Sequence, residues 1–306
     1  MGKIITGYKG FDRDWKCRDF QYEVGKTYEI EGEPELCERG FHFCTSPLAV
    51  FDYYAPTNRF AIVEADENDV IYDPGANSYK AVARRITIVK EITLDEIISL
   101  QMDFSSKMKR SGEGRKISSL GCENLQWEGH SSTNMGDSSI VGVVECSDYS
   151  VSVYGNYTAS VATDSIRSVE SCDGTNTLAA TTGRCSVAIT EGVCSAAVAT
   201  QYSSVAIAEG AEAVAVATDD ESIAVVDNIA TAVCTGGCSV AISKERNSLA
   251  VAAGCGSSAS GVLGSWLVLV DRKYTRIFDV RVVRVDGKII KKGVRYKLEN
   301  GKIKEA

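Results

Sequence analysis

Hydrophobic and polar positions follow three different rhythms along this chain of 306 residues. Up to about residue 100 the pattern changes from strand-like alternation to one helical stretch. From about residue 118 to 262 it settles into a nine-residue beat. Beyond 263 it returns to long alternating runs. The beat is plainest as SVAI from Ser186, SAAV from Ser195, SVAI from Ser204, AVAV from Ala213 and SIAV from Ser222. It extends back to Thr177, Ser168, Ser160 and Ser150, and forward to Thr231, Ser239, Ser248 and Ser257, with one-residue slips near Ser160 and Ser239. A fixed short period means stacked units.

With the serine as position zero, positions one and three are mostly Val, Ile, Leu or Ala. Position two is nearly always Ala, and position six favours Gly, Asp or Asn, as at Gly183, Gly192, Gly210, Asp219, Asn228 and Gly254. This predicts a short strand followed by a turn with a permissive backbone. Two units make a coil of roughly eighteen residues. Thirteen repeat starts give about six coils, a rod of roughly 30 Å at a strand spacing of about 4.8 Å. The larger Val and Ile side chains are expected to point inward. The Ser and Ala positions would then form a charge-poor outer strip, suited to side-by-side contact in a homo-oligomer, a dimer or trimer. The Gly-Gly-x-Gly-x-Asp turns of calcium-binding rolls are absent, so no calcium is expected.

The flanks read differently. IITGYKGF, KTYEIEG, GFHFC, RFAIVEAD, DVIYD and YKAVARRITIVKEI predict strands. Ser46-Pro47 reads as N-cap and first position of a short helix, LAVFDYY. Thr93 to Glu96 is a capping box opening a helix from about 94 to 109. Asp286-Gly287 and Asn300-Gly301 predict hairpin turns in a closing meander, and Trp127 is placed to cap the open end of the rod. The expected organisation is an α+β N-terminal domain over 1–112, a β-solenoid (β-roll) of nine-residue repeats over 118–262, and a C-terminal β-hairpin cap over 263–306.

Charge sharpens the picture. The net charge is −8, but residues 118–262 carry four bases against sixteen acids, and residues 263–306 carry twelve bases against five acids. An acidic rod argues against duplex nucleic acid as a partner. All four prolines lie at or before Pro74, which suits uninterrupted ladders afterwards. The absence of a signal peptide and of a membrane-length apolar run predicts a cytoplasmic protein without a membrane partner. The eleven cysteines then read as reduced, small apolar fillers.

Chemistry, if present, belongs to the first hundred residues. Cys17, Cys37, His42 and Cys44 are the weak candidate for a zinc site, without a CxxC knuckle. With His42 and His130 as the only histidines, a Ser-His-Asp set is not expected. Tyr8-Lys9-Gly10, Phe43-Cys44-Thr45-Ser46 and Glu64-Ala65-Asp66 resemble the three short motifs of toxin-type ADP-ribosyltransferases. That resemblance implies an NAD-using enzyme with Lys9, Thr45, Ser46 and Glu64 as its working residues. Lys9 departs from it, because lysine lacks the planar fork that arginine offers a phosphate. The other reading is a non-enzymatic binding surface built from Tyr8, Phe11, Phe41, His42 and Tyr54, with no cofactor.

The block KGFDRDWKCRDFQYEVGKTYEIEGEPELCERGFHFCTSPLAVFDYY closely resembles the N-terminal domain of an uncharacterised family of tailed phages, prophages and gut bacteria. Members often continue into Ser/Ala/Thr/Gly repeats and a small end module. The resemblance implies a viral or mobile-element origin, with the host cytoplasm or the virion as its place, and no known activity. The expected function is a self-associating binding or scaffold protein that presents its N-terminal domain for recognition of a protein or small ligand.

Overall fold

A computed structural model describes residues 2–75, 79–107, 116–120, 126–128, 131–135, 138, 140–144, 150–163 and 167–306. The chain divides into two compact units, Met1–Phe104 and Ser105–Ala306. The first unit is a β-sheet domain with one helix, and the second is a β-solenoid of about seven turns ending in additional strands.

The N-terminal sheet has seven strands in the order Thr27–Glu29, Arg85–Ile92, Arg59–Asp66, Ile4–Phe11, Phe41–Cys44, Lys80–Ala83 and Val70–Tyr72. All neighbours are antiparallel. The helix runs Leu94–Lys107, and its capping box is formed: Glu96 N donates to Thr93 Oγ1 at 3.2 Å and Thr93 N to Glu96 Oε2 at 2.8 Å. The expected last residues of this helix, 108 and 109, lie outside the described residues. Ser46 is not an N-cap. Leu48–Asp52 form a 3₁₀ helix behind Pro47, and the Ser46 hydroxyl donates to Gln101 Oε1 at 3.1 Å. That amide oxygen also accepts from Leu48 N, so a buried glutamine does the capping.

The roll is built as the period requires, from two parallel ladders. Val187 pairs with Val205 and Val205 with Ile223, eighteen residues on each time. The earlier coils take nineteen residues, as Ser150 pairs with Val169. One slip lies elsewhere than expected. Val214 pairs with Thr231, which makes Thr231 a position-one residue and Ala230 the repeat start. The deleted residue is therefore in the turn at Asp227–Ile229.

The faces are the reverse of the expectation. Ser186, Ser204, Ser222 and Ser239 are fully buried, as are Ala188, Ala206, Ala224 and Ala241. The core of the roll is a double column of alanine with serine beside it, and position four follows suit at Ala199, Ala208, Ala217 and Cys234. Val and Ile point outward. In the ten-stranded sheet these outward residues are accessible, with Val214 at 37% and Leu178 at 38%. In the eleven-stranded sheet they are buried, as at Val205 and Ile223. A coil of eighteen residues closes with two tight turns, so the facing strands lie close and mostly small side chains fill the space between them, with Val151, Thr190 and Val226 as larger inward members. Size, not hydrophobicity, decides what goes inside.

Serine belongs inside because it closes the turns. Ser222 Oγ donates to Gln201 O at 3.1 Å and accepts from Ser204 N at 3.3 Å. Ser204, Ser239 and Ser257 repeat the donation to Gly183 O, Asp219 O and Gly236 O at 3.0, 2.9 and 2.7 Å. Ser222→Ala leaves the buried Ser204 N and the carbonyl of the exposed Gln201 without this partner. Its expected cost is about 1–3 kcal/mol, measured as a lower midpoint in urea melts.

The turns carry a left-handed residue just before the repeat start, as at Cys194, Ser203, Glu212 and Glu221 with φ 53–58°. Their amides bond to the next coil, as Cys194 N does to Ala211 O at 3.0 Å. At the C-terminal end, Trp266–Lys273 continues the ten-stranded sheet and pairs antiparallel with Arg276–Arg284. Tyr296–Glu299 and Lys302–Glu305 finish the other sheet, joined by the Asn300-Gly301 turn with φ 52° and 71°. Asp286-Gly287 is not a hairpin turn between strands. The Asp286 carboxylate instead accepts from Lys288 N, Ile289 N and Ile290 N in a loop. Lysines on the last strand blunt that edge. The side chain of Trp127 lies outside the described residues, as does His130.

Candidate functional site

The N-terminal sheet opens at one place. Ile4–Phe11 pairs with Arg59–Asp66 along its whole length, but with Phe41–Cys44 only at Tyr8 opposite Cys44. Beyond that pair the two strands part. The ladder is replaced there by a side chain: Lys9 Nζ donates to His42 O at 2.6 Å. A cavity of about 640 Å³ occupies the parting, a volume in the range of small-molecule sites.

Local sequence explains the opening. A Cβ on Gly10 would lie 2.4 Å from the Tyr54 ring, and one on Gly7 would lie 2.2 Å from the Phe43 ring. The two glycines let aromatic rings cross the strand. Phe11 is fully buried against Trp15 and Tyr22, with ring centroids 5.0 and 5.2 Å apart. The Lys-Gly-Phe triplet thus supplies the cavity cation, the notch for Tyr54 and the anchor of the core.

Of the residues expected to form a recognition surface, Tyr8, Phe41, His42 and Tyr54 line the cavity, whereas Phe11 is core. The residues of the ADP-ribosyltransferase resemblance are not brought together. Lys9 lines the cavity. Thr45 bonds to Tyr79 O through its hydroxyl at 3.4 Å, and Ser46 is held by Gln101. Glu64 pairs with Thr6 and Lys9 with Ala61, so alternation puts Lys9 and Glu64 on opposite faces of the sheet.

Of the zinc candidates, Cys17, His42 and Cys44 line the cavity and Cys37 does not. His42 Nε2 accepts from Cys37 N at 2.8 Å, and the ring is also hydrogen-bonded to the backbone of Gly40. Burial first, then Lys80, Lys9 and Arg18, pushes the imidazole down to about 4, so it is neutral at physiological pH. Cys37 Sγ takes Lys80 Nζ at 2.9 Å, and Cys17 Sγ takes Lys9 Nζ at 3.7 Å. Among the described residues no three His, Cys, Asp or Glu side chains are grouped to share an ion.

Lys9 is the unusual group. It is 4% exposed, with its ammonium 5.2 Å from the Tyr22 ring centroid and 5.7 Å from that of Phe11. Burial lowers its pKa, opposed by the nearby Cys17 thiol. Burial raises the Tyr22 and Tyr54 hydroxyls, and for Tyr54 the hydrogen bond to Cys17 adds to it. Tyr53 rises to about 12 for the same first reason. Sequence reasoning missed Arg18, Phe20, Tyr22, Tyr53 and Lys80, which complete the lining. Their signal is the aromatic and basic density of CRDFQYEV and its surroundings.

Residues 5–100 match the model of a family described as a domain of unknown function (DUF7666). The match covers the whole cavity and stops before the roll. No curated protein matches the chain, and no solved structure does.

Proposed function

We propose that the protein is a binding and scaffold protein. Its N-terminal domain receives a small molecule in the cavity, and its roll is the support. The observation that carries this reading is the parting of two adjacent strands around a buried lysine and a ring of tyrosines. A sheet gives up ladder bonds at a strand pair only where the gap is filled or used. Tyr54→Ala removes the ring seated in the Gly10 notch. Small aromatic compounds that raise the melting temperature of the native protein are expected to lose that effect in this variant. Stabilisation that persists unchanged would place binding elsewhere.

A second feature supports self-association, and it relocates the contact. The Ser and Ala columns are interior and unavailable. One outward column of the ten-stranded sheet runs Leu178, Ala196, Val214, Thr231, Leu249 and Trp266, without a charged residue. Such a face is suited to a second copy of itself. Light scattering is expected to give more than the monomer mass of 32.9 kDa. Val214→Lys, on an exposed position, is expected to return the monomer with unchanged circular dichroism. A wild-type monomer at high concentration would end this part of the proposal.

The rival reading, an NAD-using transferase, lacks support from the placement of Lys9 and Glu64. Transfer of label from NAD that disappears in Glu64→Ala would restore it. A phage or mobile-element origin fits the resemblance of the N-terminal block. The nine described cysteines, all free thiols, suit a reducing compartment such as a host cytoplasm.

A further inference from the structure

We propose that the cavity takes a flat aromatic molecule carrying one anionic head, a carboxylate or a phosphate monoester, with the head on Lys9. This rests on the reading of the N-terminal domain as a ligand-binding domain and names what it binds.

The head is argued from Lys9. An ammonium has three protons to donate. The carbonyl of His42 takes one and the soft sulfur of Cys17 takes another at 3.7 Å. No carboxylate is paired with Lys9 among the described residues, and the charges that act on it are two thiols and Arg18. A buried cation without a counter-charge is costly, and an anion within reach removes that cost. The surroundings have the same sign. The charges felt by His42, in the same wall, are Lys80, Lys9 and Arg18, with no acid among them. Arg18 lines the cavity on a left-handed backbone, φ 55°, and makes no ion pair among the described residues. The acids of the lining, Asp19, Glu29 and Glu38, lie with Arg18 on its exposed rim, where solvent screens all four, and Glu29 is paired with Arg84 at 3.6 Å, so Lys9 is the charge held out of water.

The body is argued from the rings. Phe20 stands edge-on to Tyr22 and Phe41, with centroids 4.7 and 5.9 Å away. Phe20 remains 45% exposed and Tyr53 54% exposed, although both line the cavity. Exposed aromatic surface around a charged floor matches a ligand with a π-face at one end and a negative charge at the other.

The test uses calorimetry on the full chain with paired probes. Indole-3-acetate is compared with indole-3-acetamide, and adenosine monophosphate with adenosine. The two pairs separate a carboxylate head from a phosphate head on similar flat bodies. One anionic probe is expected to bind on the order of 30-fold tighter than its neutral twin, the loss typical of truncating one partner of a buried charge pair. Lys9→Met keeps the length of the side chain and is expected to erase that difference. Arg18→Gln, on the exposed rim, is expected to reduce it, and keeps the test intact if Lys9→Met lowers the melting temperature. Equal binding of charged and neutral twins, with both lost in Tyr54→Ala, overturns the anionic head and leaves the binding cavity standing. No binding by any probe at millimolar concentration overturns both.

Discussion

Gly210→Ala is expected to unfold most of the roll. A Cβ at this position would lie 1.7 Å from Gly192 O, and Gly192 stands in the same relation to Gly174 O at 1.4 Å. These are backbone atoms of successive coils, so no rotamer change relieves the overlap. The coils must separate instead, and separation breaks the bonds that stack them, such as Glu209 N to Thr190 O at 2.8 Å and Cys194 N to Ala211 O at 3.0 Å. A loss on the order of 4 kcal/mol or more is expected, at the upper end for single substitutions. Gly237→Ala is the control. Its Cβ would meet Asp220 Oδ1 at 2.8 Å, the end of a side chain that can turn away. Thermal melts followed by circular dichroism should show a large drop for Gly210→Ala and a small one for Gly237→Ala. Equal melting of the two would mean that the coils do not stack through this column.

The second large effect is a gain. Glu170 sits in the alanine column of the roll, paired in register between Val151 and Ala188, and is fully buried. One carboxyl oxygen meets Ser160 Oγ, while Oε1 has no hydrogen-bond partner. Burial lifts this acid from 4.5 to about 8, with the Ser160 bond opposing it. The sign follows from proton counting. Between these two values the folded chain holds a proton that the unfolded chain has released. Stability therefore falls as pH rises through this window. At pH 7 the penalty has an upper figure of about 3–4 kcal/mol, from two and a half units at about 1.4 kcal/mol each. Glu170→Gln keeps the volume and removes this titration, so the fall in melting temperature from pH 6.5 to 8, above the range in which the depressed His42 contributes, should disappear. Glu170→Ala restores the column residue and should melt higher than the parent at pH 8. A parent melting curve independent of pH across this range would contradict the buried carboxyl.

These two positions also show what could be read from the residues alone. The period, the strands, the position-six glycines and the capping box at Thr93 follow from local chemistry, and the structure repeats them. The facing of the roll does not. Alternation says that positions one and three share a face, without saying which face is inside, and the larger side chains were assigned inward by hydrophobicity. The bias is steric: the small Ala206 and Ser204 fill most of the space between facing strands, and larger side chains such as Val226 enter it at single positions. A cue is present in Ser222 and its equivalents, because a serine recurring at most repeat starts is a hydrogen-bonding device before it is a surface. The missing residue near Asn228 was misplaced because Thr231 keeps the nine-residue count while breaking the pairing. At the cavity, the aromatic block could be seen but not sorted. Phe11 and Phe41 look alike in sequence and both are buried in the core, and only the parting of two strands brings one of them to the cavity wall.

The most direct test of the account is a thiol-labelling profile of the native chain, read by peptide mass spectrometry with and without indole-3-acetate. Cys238 and Cys255 are exposed on the turns, Cys234 is buried at an inward position of the roll, and Cys17 is half-buried in the cavity wall. The predicted result is prompt labelling of Cys238 and Cys255 in both samples, no labelling of Cys234 in either, and labelling of Cys17 that slows only when the aromatic anion is present. Labelling of Cys234 as fast as Cys238, or of Cys17 at one rate in both samples, would contradict it.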